Sequence, residues 1–137
     1  MAILFVASVI GIGFLPYETS LAYGSSVESR SGVDLQLLQQ KWHLSHYEIF
    51  GEQIPPEKAE AGDFIEFHAD RTFTSLSEGQ PENGKYRVGD NSVFLMEEVG
   101  QGQLKLNIRS LGQKQLVVVI DDPSDPDAKY LSIHFKH

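Results

Sequence analysis

The chain has 137 residues, 41% hydrophobic and 22% charged, a length and composition that suit one compact domain with a buried core. Its formal net charge is −8 and its 11 Lys and Arg are scattered singly, so no basic stripe exists to neutralise phosphates, which argues against nucleic acid as a partner. Cysteine is absent, which excludes disulfides, thiol catalysis, Cys-based zinc sites and a lipid anchor on a mature N-terminal Cys.

The N-terminus differs in kind from the rest. Ala2 to Leu15 is an apolar run interrupted only by Ser8 and glycines, followed by Pro16 and by Ser20-Leu21-Ala22, small at the −3 and −1 positions of a signal-peptidase site. Residues 1–22 therefore read as an export signal, which would place the mature protein in the periplasm or outside the cell. The run is short for a stable membrane span, which needs about 20 apolar residues. No positive charge precedes it, since the first Lys or Arg is Arg30. An uncleaved membrane-associated tail, or an extra element packed on the domain, are the alternatives. Residues 23–34, rich in Ser and Gly, read as a linker, and the domain proper spans 35–137.

Leu35 to Leu38 forms a short apolar turn before the first strand, Lys41–Phe50, which carries the only tryptophan, Trp42. The loop Glu52–Gly62 follows; Pro55-Pro56 forbids ladder hydrogen bonds there, and 56–61 has the composition of one helical turn. Asp63–Ala69 and Thr72–Ser77 read as a hairpin closed by Asp70-Arg71. Gln80 to Gly84 reads as a turn into a short strand, Lys85–Val88, and Gly89-Asp90-Asn91 as the turn into Ser92–Glu98. Leu104, Leu106 and Ile108 then alternate with Lys105, Asn107 and Arg109, the period of a strand with one dry face. Gln115–Ile120 is the most hydrophobic strand, and a last one carries Leu131, Ile133 and Phe135 in alternation. Eight short strands with hairpin-length turns and no helix-period segment predict an all-β, up-and-down antiparallel barrel, the closure of which removes its edges.

Trp42 behind a short helical turn, Phe67-x-x-Asp70-x-Thr72-Phe73 across the first hairpin and Gly84-x-Tyr86 on the fourth strand resemble the small bacterial lipocalin-like domains, relatives of the calycin barrels. The resemblance runs from Leu35 to the C-terminus and implies the same eight-stranded barrel. It departs from the animal lipocalin pattern: Gln40-Lys41-Trp42 stands for Gly-x-Trp, no Thr-Asp-Tyr triplet occurs, and no room remains for a C-terminal helix.

If Trp42 points inward, strict alternation sends Leu44 and His46 inward too, together with Phe67, Phe73, Tyr86, Leu106, Ile108, Val118 and Ile133. These nine residues form the candidate binding set for a small hydrophobic or amphipathic ligand, apolar with a few polar tips, as small-molecule pockets are. A barrel of eight strands is equally able to be filled by its own side chains, in which case the domain works as a protein-interaction module through its acidic surface. The longest connection, Glu52–Gly62, marks the expected entrance.

Other chemistry finds little support. His43, His68 and His134 fall on the wet face by alternation, no zinc-motif spacing is present, and no cofactor motif occurs. Four carboxylates in Asp121–Asp127 lack the glycine and distal Glu of an EF-hand loop and suit turns on their own account. No serine sits in Gly-x-Ser-x-Gly and no nucleophile–base pair is set by spacing, so the expectation is a binding protein rather than an enzyme.

Overall fold

The computed structural model describes residues 32–97 and 102–137. Residues 1–22, read as an export signal, and residues 23–31 of the expected linker lie outside the described residues. The linker's last residues belong to the domain: Gly32 donates its N–H to Asp90 O, and Val33 is buried in the core.

Among the described residues a short helical turn, α1 (Leu35–Leu38), precedes nine strands: β1 (Lys41–Ile49), β2 (Glu52–Ile54), β3 (Phe64–Phe67), β4 (Thr72–Ser77), β5 (Gln80–Gly89), β6 (Ser92–Glu97), β7 (Gln103–Leu111), β8 (Gln115–Ile120) and β9 (Leu131–Lys136). Every neighbouring pair is antiparallel, and β1 also pairs with β9, so β1 and β3 to β9 close into an eight-stranded up-and-down barrel. Strand β2 is an addition at one rim. β1 pairs with β3 only over Lys41–His43; farther along, the same edge takes β2, with Tyr47 opposite Ile54.

Turn chemistry sets the strand ends. Phe50-Gly51 and Glu78-Gly79 have positive φ at both residues, the geometry of the two-residue turn whose twist matches a hairpin. The second of these corrects the sequence reading of residues 80–84. Because the chain reverses at Glu78-Gly79, Gln80 pairs directly with Ser77, and the segment read as a turn is the first half of β5. Pro81 is tolerated at this rim because the described pairing of β5 with β6 starts beyond it, at Gly84↔Glu97.

The barrel has two unlike ends. At one, α1 lies across the opening, started by Asp34, whose carboxylate accepts from Gln36 N and Leu37 N. Leu38 and Trp42 are completely buried, and the indole N–H of Trp42 donates to Leu38 O at 2.9 Å. A large apolar side chain and a satisfied polar tip thus fasten the helix to the wall. The motif residues meet here. Phe73 stands opposite both Phe67 and Gly84 in register; a Cβ on Gly84 would lie 2.7 Å from the Phe73 ring, so glycine is what lets that ring lie flat against β5. Tyr86 packs edge-on to Phe67 and donates its hydroxyl to His68 O at 2.7 Å, while Asp70 ties the β3–β4 turn by accepting from Thr72 N and Oγ1.

Candidate functional site

The opposite end of the barrel is bounded, among the described residues, by the β1–β2, β4–β5 and β8–β9 connections and by the 3₁₀ turn Lys58–Glu60. The segment 52–62, expected to be a loop beside an entrance, lies at this end, but its first residues, Glu52–Ile54, are strand β2 paired with β1 rather than loop. The apolar wall here is partly open: Ile54, Leu104 and Leu131 are only partly buried while packing against the core, as Leu35, Ile108 and Leu111 are toward the α1 end.

Among the candidate binding residues, Leu44, Phe67, Phe73, Tyr86, Leu106, Val118 and Ile133 face inward and are buried, and Ile108 is partly buried on the same wall. Phe67, Phe73 and Tyr86 fill the α1 end, whereas Leu44, Leu106, Val118 and Ile133 line the middle.

His46 is the exception and requires a correction. The β1–β9 register shifts between Leu44 and His46, a bulge that inserts Ser45 as an extra residue. Alternation is thereby inverted beyond the bulge: Tyr47, not His46, points into the barrel, and Tyr47 is fully buried. His46 lies on the outer wall, stacked on His134 with ring centroids 4.3 Å apart, and Glu48 Oε1 is 3.8 Å from His134 Nε2. Burial, then the neighbouring His46, holds the His134 pKa below its ordinary value, with Glu48 opposing them. A second bulge at Arg109 likewise shifts β7 against β8.

Tyr47 brings polar chemistry to the mouth. Its hydroxyl donates to Glu60 Oε2 at 2.6 Å, and Glu60 Oε1 accepts from Glu57 N at 2.8 Å, so the 3₁₀ turn is tied into the barrel through a buried carboxylate. Burial, then the bond and charge of Glu60, push the Tyr47 pKa well above the usual phenol value. Asp63, just before β3, is 2% exposed; its Oδ1 accepts from Glu78 N at 2.8 Å and so holds the β4–β5 turn. Burial raises its pKa, the Glu78 N–H opposes this, and the carboxylates of Glu60 and Glu78 add to the rise. Ser75 alternates with Phe73 and so faces inward, opposite Ile65 on one side and Glu82 on the other. Burial raises the Glu82 pKa, as do the charge of Glu97 and a hydrogen bond with it. Glu97 shares the inward face of β6 with Val93 and Leu95.

Sequence reasoning missed these polar residues for separable reasons. The inward position of Ser75 was legible from its alternation with Phe73. Glu82 was hidden in a segment read as a turn, and Tyr47 and Glu60 by a bulge and a loop. Two aromatics decorate the rim: Phe50, 78% exposed and held at positive φ, stacks on Tyr130 at 4.9 Å. The carboxylates of 121–127 serve local structure: Asp122 accepts from Ser124, Asp125 caps the 3₁₀ turn Pro126–Tyr130, and Asp121 pairs with Lys105 at 3.2 Å. Among the described residues no group of three His, Asp or Glu is placed to hold a metal ion, and no helix is long and apolar enough to cross a membrane.

The closed antiparallel barrel, plugged at one end by a helical turn and a tryptophan, is lipocalin-like. Solved structures share the fold. A lipocalin-like protein from Bacteroides uniformis superposes with a TM-score of 0.54 at 13% identity, over 72% of this chain and 96% of its own. A DUF4847 family protein from Bacteroides vulgatus gives 0.54 at 16% identity, over 77% and 97%, and an uncharacterized protein from Bacteroides eggerthii 0.53 at 12%, over 72% and 98%. No family model and no curated protein matches the chain.

Proposed function

We propose that this protein is an exported, non-enzymatic binder of a small amphipathic molecule, which enters the barrel at the end opposite α1. The observation that carries the reading is an apolar interior wall that is only partly covered at the end opposite α1. At the α1 end Leu38, Trp42, Phe73 and Tyr86 are each at most 2% exposed while Ile108 and Leu111 keep part of their surface; at the other end the inward-facing Ile54, Leu104 and Leu131 do so. An apolar tail that buried about 300 Å² against such a wall would gain roughly 7 kcal/mol before the cost of association, enough for weak to moderate affinity. The polar mouth would then orient the other end of the molecule.

The test is titration of an uncharged fluorescent hydrophobic probe against wild type and Leu104→Trp, which adds bulk at the open end. Saturable binding that Leu104→Trp abolishes while its thermal melt stays cooperative is the expected result. A wild type that binds no such probe favours the alternative, an interaction module with a filled barrel.

A further inference from the structure

The interior end of this barrel is acidic, and part of its hydrogen-bonding capacity is unspent. Asp63 Oδ2, Ser75 Oγ and Glu82 Oε1 are buried, and none has a hydrogen-bond partner among the described residues. Ser75 is 1% exposed and Asp63 2%. The three belong to one patch. Ser75 and Glu82 are directly opposite across β4 and β5, with Cβ atoms about 5 Å apart in such pairs. Phe64 pairs with Leu76, which puts Asp63 one inward position from Ser75 on the neighbouring strand. The charges acting on Asp63 and Glu82 come from other carboxylates: Glu60 and Glu78 on the first, and on the second Glu97, which also shares a hydrogen bond with Glu82 and leaves only Oε1 of Glu82 without a partner. Lys105–Asp121 and Glu48–His134 pair on the outer wall.

An ionised carboxylate only accepts hydrogen bonds, and a buried acceptor without a donor is costly. What would complete this patch is a positively charged group with several donors, small enough to fit between adjacent strands.

We propose that the barrel mouth binds the cationic head, a primary ammonium or a guanidinium, of an amphipathic ligand, with Asp63, Glu82 and Ser75 as acceptors and the apolar tail directed toward Leu106 and Val118. The inference rests on the reading that the barrel interior holds the tail. It selects against fatty acids, whose carboxylate would meet like charge in a poorly solvated site.

The experiment displaces the uncharged probe with decylamine, decylguanidinium, 1-decanol and decanoate at pH 7.5 and high salt, which screens the overall negative charge. The two cations should bind at least about tenfold more tightly than the alcohol, the scale of one charge-assisted hydrogen bond, and decanoate more weakly than the alcohol. Asp63→Asn/Glu82→Gln should abolish the cations' advantage over the alcohol. Glu66→Gln/Asp127→Asn, an equal change of charge on the outside, should keep the preference. Ser75→Ala should weaken cation binding several-fold. If 1-decanol binds and the cations bind no better, the head-group inference is overturned while ligand binding stands. A cation preference that survives Asp63→Asn/Glu82→Gln also overturns it. If none of the four displaces the probe, the binding reading falls and this inference with it. Should the double variant fail to fold, an undiminished cation preference in Ser75→Ala overturns the proposal.

Discussion

The hydroxyl of Tyr47 donates to Glu60 Oε2 at 2.6 Å, and both residues are buried where β1 changes partner from β3 to β2. One hydrogen bond thus joins the barrel wall to the loop over its mouth. Tyr47→Phe keeps the ring but leaves a buried carboxylate oxygen without this donor, at an expected cost of about 1–3 kcal/mol. Urea unfolding should show a lower midpoint at unchanged slope, and amide exchange should accelerate in Glu52–Gly62 more than in β7 and β8. Equal exchange in loop and barrel would mean that the bond does not hold the loop.

Trp42 anchors the closed end through its buried ring and its bond to Leu38 O. Trp42→Ala should cost about 3–5 kcal/mol, the range for deleting a large buried aromatic. Near-wild-type stability in denaturant unfolding would show that α1 and Trp42 do not organise the plug.

Gly84→Ala places a methyl group against Phe73 and the Met96 carbonyl. Because the backbone oxygen cannot swing away, Phe73 and the β5–β6 ladder must both move, at a cost of roughly 1–3 kcal/mol as for other overpacked sites. Thermal melts of this variant should fall well below wild type, and Phe73→Leu in the same chain should recover part of the loss by freeing space.

The buried carboxylates give stability a pH dependence of definite sign. Asp63 and Glu82 have pKa values raised in the folded protein, chiefly by burial. The native state therefore holds these protons more tightly than the unfolded chain. Their contribution is present at low pH and is lost as pH rises from about 4 through the folded values. His134 acts in the opposite sense: its lowered pKa gives stability that is present above about 6.5 and is lost as pH falls through its folded value. Asp63→Asn/Glu82→Gln should thus melt higher than wild type at pH 7.5 and show little gain at pH 4. A gain that is equal at both pH values would show that charge is not its cause.

His46 stands outside the barrel, so His46→Ala should leave probe binding unchanged within about twofold, while its loss should free His134 from the stack and raise the His134 pKa measured by NMR titration. Loss of probe binding in this variant would restore His46 to the interior.

Much of the architecture was legible in the chain because strands announce themselves by period and turns by composition. Leu104, Leu106 and Ile108 alternate with polar residues, Asp70-Arg71 closes a hairpin, and Phe67, Phe73, Gly84 and Tyr86 carry the resemblance that implied a barrel. What the tertiary structure alone decided is which side of each strand faces inward once the alternation is interrupted. Ser45 is an ordinary residue, yet as the extra residue of a bulge against β9 it exchanges His46 for Tyr47 in the interior. The position of a bulge depends on the register of two strands that lie far apart in sequence, and local periodicity carries no record of it. The same holds for the acidic mouth. Glu60, Asp63, Ser75, Glu82 and Glu97 are spread over 38 residues, and only barrel closure gathers them at one end, burying the first three and half-burying Glu82 and Glu97.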